Sequence, residues 1–254
     1  MGIIAYAVFI VAQLPAKVLW RWAEPYVASP LQISSVAGVW WKGSAHWFFP
    51  GSQFDGIDLG GKVRWNLAFS SLLSGHLGAQ IQLESTYFKA NTFAKIGASK
   101  KLTLEDMTLL VDAAIANAQL TSVNARVQGN LELRPSQAVI DLSSLGSAPF
   151  STAAIEMLQG EAVWLGGEAN YPVGSEMRQT DIPILLGQLQ RSEEGSILLK
   201  VTDEAGQLAM EGYVKNDGWA GIVVKRHFID VIGEQWPNNA GPDTTVFEVS
   251  EKVY

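Results

Sequence analysis

The sequence predicts a mainly β protein: a single N-terminal transmembrane helix, then a twisted, largely antiparallel sheet folded as a sandwich or an open roll, with one or two short helices. Three observations point there. Apolar residues alternate with polar ones over residues 63–69 and 77–83, the two-residue period of a half-buried strand. Turn signals separate such runs, among them Gly75-His76 and Asn216-Asp217-Gly218, where Asp-Gly tolerates positive φ. The first residues, Met1 to Ala16, carry no charge, and residues 3–12 are almost purely apolar. The expected division is residues 1–24 as membrane anchor and 25–254 as a β-rich domain, itself open to division into similar halves, 31–125 and 126–254.

Taken in order, residues 3–12 alone are shorter than the roughly 20 apolar residues a spanning helix needs. Val18, Leu19, Trp20 and Trp22 supply the length when the helix continues, and Trp20, Trp22 and Tyr26 then sit where an interfacial aromatic belt would. A buried helix and a cleaved signal peptide are the rival readings; the latter lacks a basic n-region and a cleavage motif. Lys17 and Arg21 follow the apolar run, so charge alone leaves the orientation open. After Pro25 and Pro30 the period changes. Val63, Trp65, Leu67 and Phe69 alternate with Lys62, Arg64, Asn66 and Ala68, and Leu77, Ala79, Ile81 and Leu83 alternate with Gly78, Gln80, Gln82 and Glu84. Further strands are expected at 127–133, 162–165, 197–202, 208–214 and 219–225, and the tail from Gln235 reads as a loop and one last strand. Residues 104–118, with Leu109, Leu110, Ala113 and Ala114 on one face, read as a helix. Residues 182–190, opening at Pro183, are a second helical candidate.

The densest motif is Gly38-Val39-Trp40-Trp41-Lys42-Gly43, and a looser copy returns as Gly160-Glu161-Ala162-Val163-Trp164-Leu165-Gly166. The recurrence suits two similar halves. It equally suits strands that begin close to another backbone. The aromatic set Trp40, Trp41, Trp47, Phe48, Phe49 and Phe54 fills a core or, where exposed, contacts a partner or lipid. Adjacent in a strand, Trp40 and Trp41 would point to opposite faces. The candidate partner contacts are Trp40, Trp41, Trp47 and Trp164.

Composition excludes more than it assigns. A net charge of -7 with no basic run argues against a nucleic-acid surface. Zero Cys removes disulfides, thiol nucleophiles and Cys-ligated zinc, and fits a periplasmic domain. His46, His76 and His227 are not spaced with one another or with carboxylates as a zinc helix requires, and no Gly-x-Ser-x-Gly surrounds any Ser. Asp55-Gly56-Ile57-Asp58 lacks the further oxygen ligands of a calcium loop and reads as a solvated turn. The pairs Glu193-Glu194 and Asp203-Glu204 sit beside Gly195 and Gly206, as turn residues should. Gly60-Gly61 and Gly166-Gly167 are followed by no Gly-Lys-Ser/Thr. The expectation is no catalytic residue, no metal and no cofactor.

Several stretches together resemble the general secretion pathway N (GspN) family of the bacterial type II secretion system. They are Leu14-Pro15-Ala16 after the apolar run, Val36 to Gly43 with its Trp between glycines, Val63-Arg64-Trp65, Ser71-Leu72-Leu73-Ser74-Gly75, Gly129-Asn130-Leu131-Glu132-Leu133 and Gly160 to Gly167. The resemblance implies a non-enzymatic inner-membrane protein with the bulk of its chain in the periplasm, contacting other secretion subunits in an envelope-spanning export machine. A wider likeness, to AsmA-type β-rich proteins, rests on Met210-Glu211-Gly212-Tyr213-Val214 and Asp217-Gly218-Trp219. It implies an apolar groove that handles lipid.

Overall fold

The structure, a computed structural model, describes residues 6, 9–26, 31–50, 58–121, 124–143, 152–234 and 239–252. Phe54, the Asp55–Ile57 part of the expected turn, most of the first eight residues and the loop at 235–238 lie outside the described residues. The chain forms two compact units, Met1–Ala98 and Ser99–Tyr254. In the first, five strands follow one another: β1 (Gln32–Val39), β2 (Lys42–Phe49), β3 (Leu59–Ala68), β4 (Leu77–Ser85) and β5 (Phe88–Ile96). The second holds β6 (Lys101–Asp112), β7 (Arg126–Asp141), β8 (Ile155–Val173), β9 (Glu176–Arg191), β10 (Ile197–Thr202), β11 (Leu208–Val214), β12 (Trp219–Lys225) and β13 (Thr245–Lys252).

Within each unit every strand pairs antiparallel with its sequence neighbour, so each unit is a meander. The expected antiparallel pairing is present in both units. A sandwich needs strands that cross to a facing sheet. Within each unit the connections return the chain beside the strand it has just left.

Pairing register explains the alternation read from the sequence. In the first unit Ala45 pairs Val63, Trp65 pairs Ile81, Leu83 pairs Ala90 and Ala79 pairs Ala94, all apolar and all on one face. The opposite face carries Lys62–Glu84 and Arg64–Gln82, with Arg64 Nη1 2.8 Å from Glu84 Oε1. In the second unit Leu133 pairs Ala162, Ala162 pairs Gly187, and Leu189 pairs Leu199 on the apolar face. Glu161–Gln188 and Lys200–Glu211 are on the other. Among the described residues the sheltered apolar positions are few: Ala16, Ala45, Phe49, Ala94, Ala138, Ala154, Ala162, Leu185 and Ala209, mostly small side chains.

Three expectations change. Residues 104–118 are not one helix. Lys101–Asp112 is strand β6, whose Leu102, Leu104, Leu109 and Val111 pair Ile140, Ala138, Leu133 and Leu131; only the Ala-rich continuation turns helical, as Ala113–Ala116 and Asn117–Leu120. Long-range pairing of apolar side chains outweighs the Ala and Leu propensity. Residues 182–190 likewise lie in β9. Pro183 is tolerated there because it falls opposite Gly166, between the register pairs Leu165–Ile184 and Gly167–Ile182, at a position where no pair forms; Gly166 holds φ +88 and is the extra residue of a bulge that β8 makes against β7. The N-terminal helix does not run through to Trp22. It turns at Gln13, Pro15 bridges Val39, and a separate amphipathic helix occupies Ala16–Ala23. The ring of Pro15 disfavours helical backbone at Leu14. Among the described residues no helix is long and apolar enough to cross a membrane.

Candidate functional site

Trp40 and Trp41 form the two-residue turn of the β1–β2 hairpin, closed by the pairs Val39–Lys42 and Gly38–Gly43. Gly38 holds φ +90, and a Cβ at Gly43 would stand 2.5 Å from Trp65 Cζ2, so both glycines are needed for the turn to close under the Trp65 ring. The two tryptophans do not straddle a strand as their adjacency suggested. Both indoles reach back to the N-terminal segment: Trp40 Nε1 donates to Val11 O at 2.8 Å, and Trp41 Nε1 to Ala12 O at 2.9 Å. Trp40 N donates to Leu14 O, and Trp65 Nε1 to Trp40 O. Trp41 Nε1 and Trp40 N thereby pair Ala12 O and Leu14 O at the end of the N-terminal helix, while Val11 O accepts from Leu14 N as well as from Trp40 Nε1. Phe69 closes the cluster, its ring 5.8 Å from Trp40 edge-on and 6.0 Å from Trp41.

Trp47 and Trp164 behave differently. Trp47 stacks on Phe88 at 5.7 Å on the apolar face of the first unit. Trp164, in the second, lies over Gly129 in the neighbouring strand. Both are half-buried, and the indole N–H of each finds no acceptor. The two Gly-Trp copies therefore sit in unlike places, one across a hairpin turn and the other inside β8.

The second unit also carries an open apolar groove, whose lining residues sequence reasoning did not single out. Leu189, Ile197, Leu199, Val214, Ala220, Ile222 and Val249 line a groove of about 450 Å3 floored by Gly212. The lining is apolar because successive strands place these residues on one face: Leu199–Gly212, Gly212–Ile222 and Ile222–Val249 are consecutive register pairs. Ile222 is 50% exposed and Val249 52%. Alternation in β10, β11 and β12 gave the signal; missing was how little would cover it. Glu251 at the groove's end is its one carboxylate.

At the other end of these strands the helix Arg226–Val231 packs on β11 and β12. His227 Nε2 lies 2.9 Å from Asp203 Oδ2. The Gln207 backbone N–H, and then His227, hold the Asp203 carboxyl below its ordinary range. Beyond the helix, Glu234 accepts from the Tyr171 hydroxyl at 2.9 Å; burial, then that bond, pushes the Tyr171 phenol up. His46 is exposed on β2, and His76 is exposed just before β4. Among the described residues no three of His, Cys, Asp and Glu gather as a metal site.

A family model described as type II secretion system (T2SS), protein N, matches residues 29–222. No curated protein and no solved structure matches the chain.

Proposed function

Because the chain belongs to the type II secretion system protein N family, we propose that it is a non-enzymatic component of that machine, held at the inner membrane by its N-terminal apolar segment, with its sheet in the periplasm against neighbouring subunits. The observation that carries the mode of contact is the last strand. Among the described residues β13 pairs with β12 alone, leaving its outer row of N–H and C=O groups open. Such an edge accepts an added strand readily. Phe247 is 57% exposed on it, a side chain that an incoming strand would cover.

A second reading, a lipid-handling β-groove, is favoured by the apolar lining around Ile222 and Val249. One experiment separates them: photoreactive residues at Phe247 and Ile222, irradiated in native membranes. Adducts to secretion subunits support the assembly role. Adducts to lipid alone at Ile222 support the groove. A chain that forms neither refutes both surfaces as sites of contact.

A further inference from the structure

The Trp40–Trp41 end of the first unit is unlike the rest of its strands. Leu73 is 93% exposed, and Leu72 and Phe69 stand about half out of the surface on the 3-10 turn Phe69–Ser74, which carries no charge. Phe9, Ile10 and Val11 adjoin them, exposed, and are fastened there by the indole of Trp40 on Val11 O. This tip is thus continuous with the apolar N-terminal run. Its charges are one-sided. Lys17, Arg21 and Lys42 are exposed around it, with Glu24 the nearby exception. From Gln32 to Gly78 the only carboxylates are Asp55 and Asp58. Asp58 precedes β3, at the strand ends away from the turn, and Asp55 lies outside the described residues. In the helix Ala16–Ala23, Val18 and Trp22 are one turn apart on an exposed stripe, with Lys17 and Arg21 beside them. That is the layout of a helix lying in a membrane interface.

We infer that this tip, formed by Trp40, Phe69, Leu72 and Leu73, seats in the interface of the same phospholipid bilayer that takes the N-terminal apolar residues. Lys17 and Arg21 then extend to anionic headgroups, as long cationic side chains do at that depth. Trp40 and Trp41 are the residue type that favours the interface. The Trp41 indole also pairs Ala12 O in a region where an unpaired backbone group is costly. The sheet is thereby held at the bilayer by two elements, its tether and its own hairpin tip. The inference rests on the reading of the N-terminal segment as a membrane anchor.

The chain has no Cys, so a thiol introduced by Leu73→Cys is unique. The full chain, labelled there with bimane, is reconstituted into phosphatidylethanolamine–phosphatidylglycerol vesicles, with or without brominated acyl chains. Lys89→Cys, exposed at the far end of β5, is the control. The expected result is a blue-shifted Leu73 probe that loses most of its emission to brominated lipid, while the Lys89 probe loses little. A chain that floats with vesicles while both probes are quenched alike overturns the tip and leaves the anchor standing. A chain that does not float overturns the anchor and the tip together. A Leu73 probe shielded from iodide yet untouched by brominated chains overturns it in favour of contact between two copies of the chain.

Discussion

Gly129→Ala tests how closely β7 and β8 approach. Gly129 holds φ +148, and a Cβ there would stand 2.3 Å from Trp164 Cζ2, 2.7 Å from Cη2 and 2.8 Å from Gly166 O. Carbon atoms pack at about 3.5–4.0 Å, so the Trp164 ring would have to retreat by about 1.2 Å or more. Backbone strain at this φ costs about 1–3 kcal/mol, and displacing a packed ring about 1–3 kcal/mol. A loss near 3 kcal/mol would lower Tm by about 6–12 °C in a unit of this size. Gly174→Ala is the control. Gly174 also has a positive φ, +64, but nothing lies within 4 Å of an added Cβ, so only strain of about 1–2 kcal/mol remains. Thermal unfolding followed by circular dichroism reads both. Adding Trp164→Ala removes the ring that the new methyl group would strike, and the pair of changes should then cost less than their sum by about 1–3 kcal/mol. If Gly129→Ala matches Gly174→Ala and the double variant is additive, the contact is not what makes Gly129 necessary.

The remaining predictions concern other elements. Leu185, 1% exposed on the apolar face of the second unit, should cost about 2–5 kcal/mol as Leu185→Ala; Leu186→Ala, whose side chain faces the other way and is 44% exposed, should cost far less in the same urea titration. Trp41→Phe keeps a ring but removes the N–H bonded to Ala12 O. The expected loss is about 1 kcal/mol, with faster cleavage of residues 9–14 by an added protease. Asp203 has a folded pKa below its ordinary value, so its contribution is present above about pH 4 and disappears as the pH falls through the folded value. Asp203→Asn should flatten the stability profile in that acid window, read by urea titrations at a series of pH values.

The two-residue period was legible because it is local. Val63, Trp65 and Leu67 need only their own alternation to be read as strand, and β3 contains them all. Long strands were harder to bound. β8 runs from Ile155 to Val173, but Gly160 and the Gly166 bulge interrupt its pattern, and only residues 162–165 stood out. At 104–118, the Leu109-Leu110 doublet and the Ala residues match a helical face as well as a strand face, and the choice is made by β7, more than twenty residues away for most pairs. The candidate site shows the same division. That Trp40 and Trp41 form a dense aromatic motif between two glycines was visible. That their indoles would hold Val11 and Ala12 was not, since those bonds join residues 29 positions apart. Nor does any local pattern say that a face of the right polarity will be left half-open.

That half-open face bears on which partner fits best. A sheet with one apolar face ordinarily buries it against a second layer, yet in the second unit Ile222, Val249 and Phe247 remain about half exposed. Lipid chains would cover these side chains but could not pair the outer N–H and C=O groups of β13. A protein strand added at β13 would meet both needs. Its backbone would pair the edge, and its own alternate apolar residues would fall beside Val249 and Phe247 and continue the face that Ile222 and Val224 begin. One partner answering two unmet demands is the stronger physical case, and it weights the secretion-subunit reading over the lipid one. It also fixes what such a partner must contribute: an extended segment with apolar residues at every second position, so that a charge placed at one of those positions would weaken binding more than the same charge placed at its neighbour.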